Sequence, residues 1–169
     1  MKKIQILAAI CWLLSLVVVL TAFGYLLREN QRQMICGSHL KHWYTAFQLY
    51  GEIKGWPLTI AQNHEAWLAT VRSYLYSPET EQCPASVPAH GCFSYKVNTE
   101  VLSLLASPKF PNSANRQTVW LFDGVPDQHA IANWVSPYQS AAGRHWQRAN
   151  LLLLDGTVTY SPELPADGK

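Results

Sequence analysis

Residues 6–27 read ILAAICWLLSLVVVLTAFGYLL, and residues 28–55 continue RENQRQMICGSHLKHWYTAFQLYGEIKG. The first stretch holds no charged residue over 22 positions. As a helix it extends roughly 33 Å, enough to span a bilayer core. The second stretch is polar, but Leu40, Trp43, Tyr44 and Phe47 recur at the three-and-four spacing of one helix face, with Ile35 and Tyr50 flanking them. The pattern predicts one helix over about residues 5–50, apolar in its first half and amphipathic in its second, with Gly37 a possible kink. Gly51 and the cluster Gly55-Trp56-Pro57 end it. An aromatic stripe of this kind usually faces a core. The expected fold class is α+β, a long N-terminal helix packed on an antiparallel β-sheet.

A cleaved signal peptide is the competing reading of the apolar run. Its apolar core would be about 7–15 residues, ending at a small-x-small site. The run is longer than that, and Thr21-Ala22-Phe23-Gly24-Tyr25 gives no such site. Ile10 before Cys11 is not the small residue a lipoprotein site needs. An uncleaved anchor is therefore expected, with Trp12 and Tyr25 as candidate membrane contacts. Lys2 and Lys3 precede the run and Arg28 and Arg32 follow it, so the positive-inside count is nearly balanced. The cysteines and the Trp- and Tyr-rich remainder place the domain outside. The expected organisation is a cytoplasmic N-terminus at 1–5, a transmembrane helix at 6–27, an extracytoplasmic domain at 28–160 and a frayed tail at 161–169.

The chain has 169 residues and a net charge of +2. About 140 residues outside the membrane suffice for one domain and not for two. Lys and Arg are scattered and form no basic face, so no nucleic-acid partner is expected. Of four cysteines, Cys11 lies in the apolar run and Cys36 has no obvious partner. Cys83 and Cys92 are too far apart for a C-x-x-C redox motif. They make no zinc ribbon, since with His90 they still lack a fourth ligand. In an oxidising compartment a Cys83–Cys92 disulfide is the expected state, with two free thiols as the alternative.

Further along, Trp67, Leu68, Val71, Tyr74 and Leu75 predict a helix over Glu65–Tyr76, followed by a Pro-rich loop, Glu79–Gly91. Cys92–Val97 alternates as a strand, and Val101–Ala106 suits a helical turn. Two apolar runs end in Asp-Gly: Val119-Trp120-Leu121-Phe122-Asp123-Gly124, and Leu151-Leu152-Leu153-Leu154-Asp155-Gly156. Asp-Gly between apolar runs signals a hairpin through a type I′ turn, with positive φ at both positions. The flanks of Asp155-Gly156 make that hairpin the firmer of the two. Pro126–Gly143 between the runs reads as a polar loop.

His145, nine residues and then Asp155-Gly156 match an H-x9-D-G ending, with Arg144, Asn150 and Val158 in step. Together these residues resemble a family of bacterial pilin-like, pseudopilin-like proteins. Other landmarks follow in that family's order: Cys36 with Leu40-Lys41, Ala46, Tyr50, Gly55 and Pro57; the Trp67 segment; Cys83-Pro84; Ser94-Tyr95 with Asn98; and Leu121-Phe122-Asp123-Gly124. The resemblance covers nearly the whole chain. It implies a pilin-like fold in a bacterial inner membrane and partnership with other pilin-like or secretion-system subunits. One feature departs from the family. Its members commonly begin with a prepilin leader followed by Phe-Thr-Leu-x-Glu, whereas here Lys2-Lys3 runs straight into Ile4-Gln5-Ile6 with no acidic residue in the apolar run. That departure removes the basis for prepilin processing and for assembly through a buried Glu.

No Ser-His-Asp set, catalytic carboxylate pair or phosphate-binding loop can be assembled by spacing, so no enzymatic activity and no cofactor are expected. His145, Asp155 and Asp123 could bind a cation, and His39 with His42 could ligate a metal. The favoured reading is no metal: Asp155 makes a turn, and His145 anchors the preceding loop. A straight strand of that length would hold His145 and Asp155 about 30 Å apart. They meet only if residues 146–149 fold back. Two functional classes follow: a pseudopilin-like structural component of a secretion or pilus-type system, or a membrane-anchored binding protein of the same fold that does not form filaments.

Overall fold

A computed structural model describes residues 2–55, 64–86, 93–107, 115–127, 131–132, 145 and 148–161. It divides into two compact units, Met1–Gln31 and Arg32–Lys169, and helix α1, Lys2–Lys54, contributes to both. In the first unit the helix exposes Leu7, Trp12, Leu16, Val19, Phe23 and Tyr25. Its most apolar window has a mean hydropathy of 2.7 and none of it is buried, so by length and composition it can cross a membrane. Two hydroxyls there, on Ser15 and Thr21, bond back to the helix's own carbonyls. Ser15 Oγ donates to Trp12 O at 2.8 Å, and Thr21 Oγ1 lies 2.9 Å from Val18 O.

In the second unit, Cys36, Leu40, Trp43, Ala46, Phe47 and Tyr50 form the buried face of α1. The Phe47 ring lies 4.7 Å from that of Trp120 and 5.5 Å from that of Trp67. Gly51, expected to help end the helix, lies within α1. The helix closes at Gly55, whose φ of 87° and N–H to Gly51 O at 2.8 Å make a left-handed cap. Helix α2, His64–Arg72, stops short of the expected Tyr76. Its last turn tightens into i→i+3 bonds at Ser73, Tyr74 and Leu75, and Ser73 Oγ takes the Thr70 carbonyl. Tyr76 is almost fully exposed. The expected Pro-rich loop opens with a 3-10 turn, Pro78–Glu81, capped by Ser77.

The sheet contains β1 (Phe93–Asn98), β2 (Val119–Asp127), β3 (Ile131–Ala132), β4 (Asn150–Leu153) and β5 (Val158–Tyr160), in the order β3-β1-β2-β4-β5. Strands β1, β2, β4 and β5 pair antiparallel, and β3 pairs parallel to β1. The class is α+β, as the periodicity predicts. Strand β3 lies inside the segment read as polar loop; two residues are too short for a period-2 pattern to register. Helix α3, Thr99–Leu105, begins where Asn98 Oδ1 caps Glu100 N, while Asn98 Nδ2 donates to Val119 O at 2.8 Å.

The two Asp-Gly pairs part company. The Asp155-Gly156 hairpin forms, and Gly156 has φ 83°. Its loop, however, is three residues rather than two, since Gly156 N donates to Leu153 O and Leu153 N to Thr157 O. Leu154 N still bonds Thr118 O, so β4's ladder with β2 runs one residue too far for a two-residue turn. Asp123-Gly124 is no turn at all: β2 runs through it to Asp127.

Candidate functional site

Four elements bring one buried polar cluster together in the second unit. Cys36 lies on the core face of α1. Cys83 follows the 3-10 turn and is fixed by Ser86, whose N and Oγ both donate to Cys83 O and whose Oγ meets Ser94 Oγ of β1 at 2.9 Å. One residue earlier, Gln82 O is 3.0 Å from His39 Nδ1 on α1. Asp123 projects from the middle of β2. His145 is held by reciprocal backbone bonds with Arg148, at 3.3 and 3.0 Å, just before β4.

All four side chains are at most 1% exposed, and their ligand atoms lie within 4.8 Å of one another. Cys36 Sγ donates to Asp123 Oδ2 at 2.9 Å. Cys83 Sγ is 3.2 Å from His145 Nε2, which is 3.6 Å from Asp123 Oδ2. Asn150 Nδ2 donates to the same carboxylate oxygen at 2.9 Å, with its backbone N at 3.4 Å. Tyr95 OH donates to Cys36 Sγ at 3.3 Å. Burial, and then the neighbouring Cys83 thiol and Asp123 carboxylate, push the Cys36 thiol far above its usual range. Burial likewise raises the Tyr95 hydroxyl. The cluster therefore resists negative charge unless a cation enters it, and its two thiols, imidazole and carboxylate are a set that transition metals accept.

The expected site residues fall into three places. Leu40, Trp43 and Phe47 are core, and Tyr44 is half-buried, edge-on to Trp120 at 5.7 Å. Trp12 and Tyr25 are exposed in the first unit. His145 and Asn150 both converge on Asp123 and not on Asp155, which is exposed in its turn. His145 and Arg148 do exchange two backbone bonds, but the imidazole faces the other Asp-Gly pair. Cys92 lies outside the described residues, so the expected disulfide is visible only from Cys83, whose sulfur faces His145. His39 bonds a carbonyl and His42 is exposed; among the described residues neither joins a ligand group. Sequence reasoning missed Cys36 and underrated Asp123. Their signal was weak: one cysteine with no near partner and one Asp followed by Gly. No protein-family model, curated protein or solved structure matches this chain.

Proposed function

We propose that this chain is a membrane-anchored, pilin-like structural component of a bacterial secretion or pilus-type system, with its Arg32–Lys169 unit outside the inner membrane. The observation that carries the reading is the division of labour within α1. Its early residues expose an apolar surface that only lipid or a neighbouring apolar helix would cover, and its later residues are the spine of an antiparallel sheet. The H-x9-D-G ending and the ordered landmarks along the chain support the family resemblance.

The second reading is an anchored binding protein that does not polymerise. It is favoured by one feature, the lack of an acidic residue between Ile4 and Leu27. Photo-crosslinking from position Leu20 in intact membranes separates the two. Adducts with pilin-like or secretion subunits are expected for a structural component; adducts with lipid alone leave the binding protein. Recovery of a carbonate-soluble species beginning near Gly24 would remove the anchor and both readings with it.

A further inference from the structure

We infer that Cys36, Cys83, Asp123 and His145 form a closed, tetrahedral site for a structural zinc ion. The inference stands independently of the membrane and pilin-like readings. Zinc–sulfur bonds near 2.3 Å and zinc–nitrogen or –oxygen bonds near 2.0 Å require ligand atoms about 3.3–3.8 Å apart. The resolved pairs lie at 2.9, 3.2 and 3.6 Å, and every pair is within 4.8 Å. Small shifts of the two thiols away from their hydrogen-bond partners would place all four atoms around one point.

The ligand types favour zinc. Two thiolates and an imidazole suit a borderline-soft ion, whereas calcium and magnesium take six or more oxygens. A disulfide between Cys36 and Cys83 is the competing use of the two sulfurs. It would need neither a carboxylate nor an imidazole, yet Asp123 and His145 sit against those sulfurs from separate elements. On binding, each thiol forms a sulfur–zinc bond and loses a proton to solvent. Asp123 enters as the carboxylate and His145 as the neutral imidazole through Nε2. No electron is transferred.

Four protein ligands leave no open position, so the site is structural and not hydrolytic. Its surroundings orient the ligands: Asn150 donates twice to Asp123, and Tyr95 donates to Cys36. The ion would join the core face of α1, the turn at Cys83, the centre of β2 and the chain entering β4. The ligands these elements bring together lie as far apart in the sequence as Cys36 and His145.

The full-length chain, purified in detergent without chelator, should carry about one zinc per chain by elemental mass spectrometry. Replacing it with Co²⁺ should give the sulfur-to-cobalt charge-transfer band and the intense visible bands of a tetrahedral thiolate site. Cys83→Ser should weaken the charge-transfer band, and Asn150→Ala should lower cobalt affinity roughly 10–100-fold while leaving the bands in place. Cys11→Ser should change neither. If Cys83→Ser fails to fold, the wild-type cobalt spectrum and its loss to chelator still decide. A native protein holding no stoichiometric metal, or one in which Cys36–Cys83 or Cys83–Cys92 is a disulfide by peptide mapping, overturns the inference.

Discussion

Asp123-Gly124 and Asp155-Gly156 are the same dipeptide after the same kind of apolar run, yet they do opposite work. In the second pair Asp155 is exposed and accepts Thr157 N–H at 2.8 Å, while Gly156 supplies the left-handed φ of 83°. In the first pair Asp123 is fully buried among Cys36, His145 and Asn150, and β2 continues through it. Gly124 is there for space, since a Cβ would overlap the Cγ of Lys96. A glycine can thus be demanded by dihedral angle or by close approach, and only tertiary contacts tell which.

The largest contrast is between the two aspartates. Asp123→Ala takes the shared acceptor from both Asn150 donors and from the Cys36 thiol in a buried site, and should lower stability by about 3 kcal/mol or more. Denaturant unfolding of the full chain in detergent, followed by Trp fluorescence, measures it. An Asp123→Ala loss no larger than that of Asp155→Ala would erase the distinction.

The glycines come next. Gly156→Val combines a forbidden φ with a Cβ built 2.9 Å from the Tyr44 ring, and should cost about 2–3 kcal/mol. Gly124→Ala meets only the Lys96 stem and should cost about 1–2 kcal/mol. Truncating the neighbour sharpens the comparison. Measured in a Lys96→Ala background, Gly124→Ala should become nearly neutral. Gly156→Ala in a Tyr44→Ala background should keep a residual penalty, because the dihedral strain remains. Full rescue at Gly156 would mean that space and not φ is what the turn requires.

This pairing also shows what was legible in the sequence. The stripe Leu40, Trp43, Phe47 and the long helix follow from periodicity, and the hairpin at 155–156 follows from local turn chemistry. Both signals are contained within a few residues of themselves. The cluster is not local: Cys36 and Asp123 are 87 positions apart, and Cys83 and His145 are 62 apart. His145 was visible as a motif residue, but spacing pointed it toward Asp155, nine residues beyond it. The reversal at His145–Arg148 redirects it, and two reciprocal backbone bonds leave no periodic trace. The three-residue turn was hidden for a related reason. The Leu154 bond to Thr118 that lengthens β4's ladder belongs to a strand pairing that the hairpin sequence does not contain.

The smallest expected effect belongs to Asp155, and its sign can be worked out. The Thr157 N–H, and more weakly the Arg116 charge, hold its carboxyl below the ordinary value of 3.8. Its folded form is thus the better acid, and the unfolded chain binds the proton more readily. The stability it contributes is present above the unfolded pKa and is lost as pH falls through the folded one. Asp155→Asn keeps an oxygen on Thr157 N–H, so at neutral pH the variant should lie just below the wild type. The gap between them should begin to narrow as pH drops beneath 3.8 and close below the folded pKa, where both present a neutral acceptor. Asp155→Leu removes the acceptor and should lie below Asn at every pH. Parallel thermal melts of the three proteins from pH 7 to pH 3 read this directly. A wild-type-to-Asn gap that stays constant across that range would show that the turn uses the oxygen and not its charge.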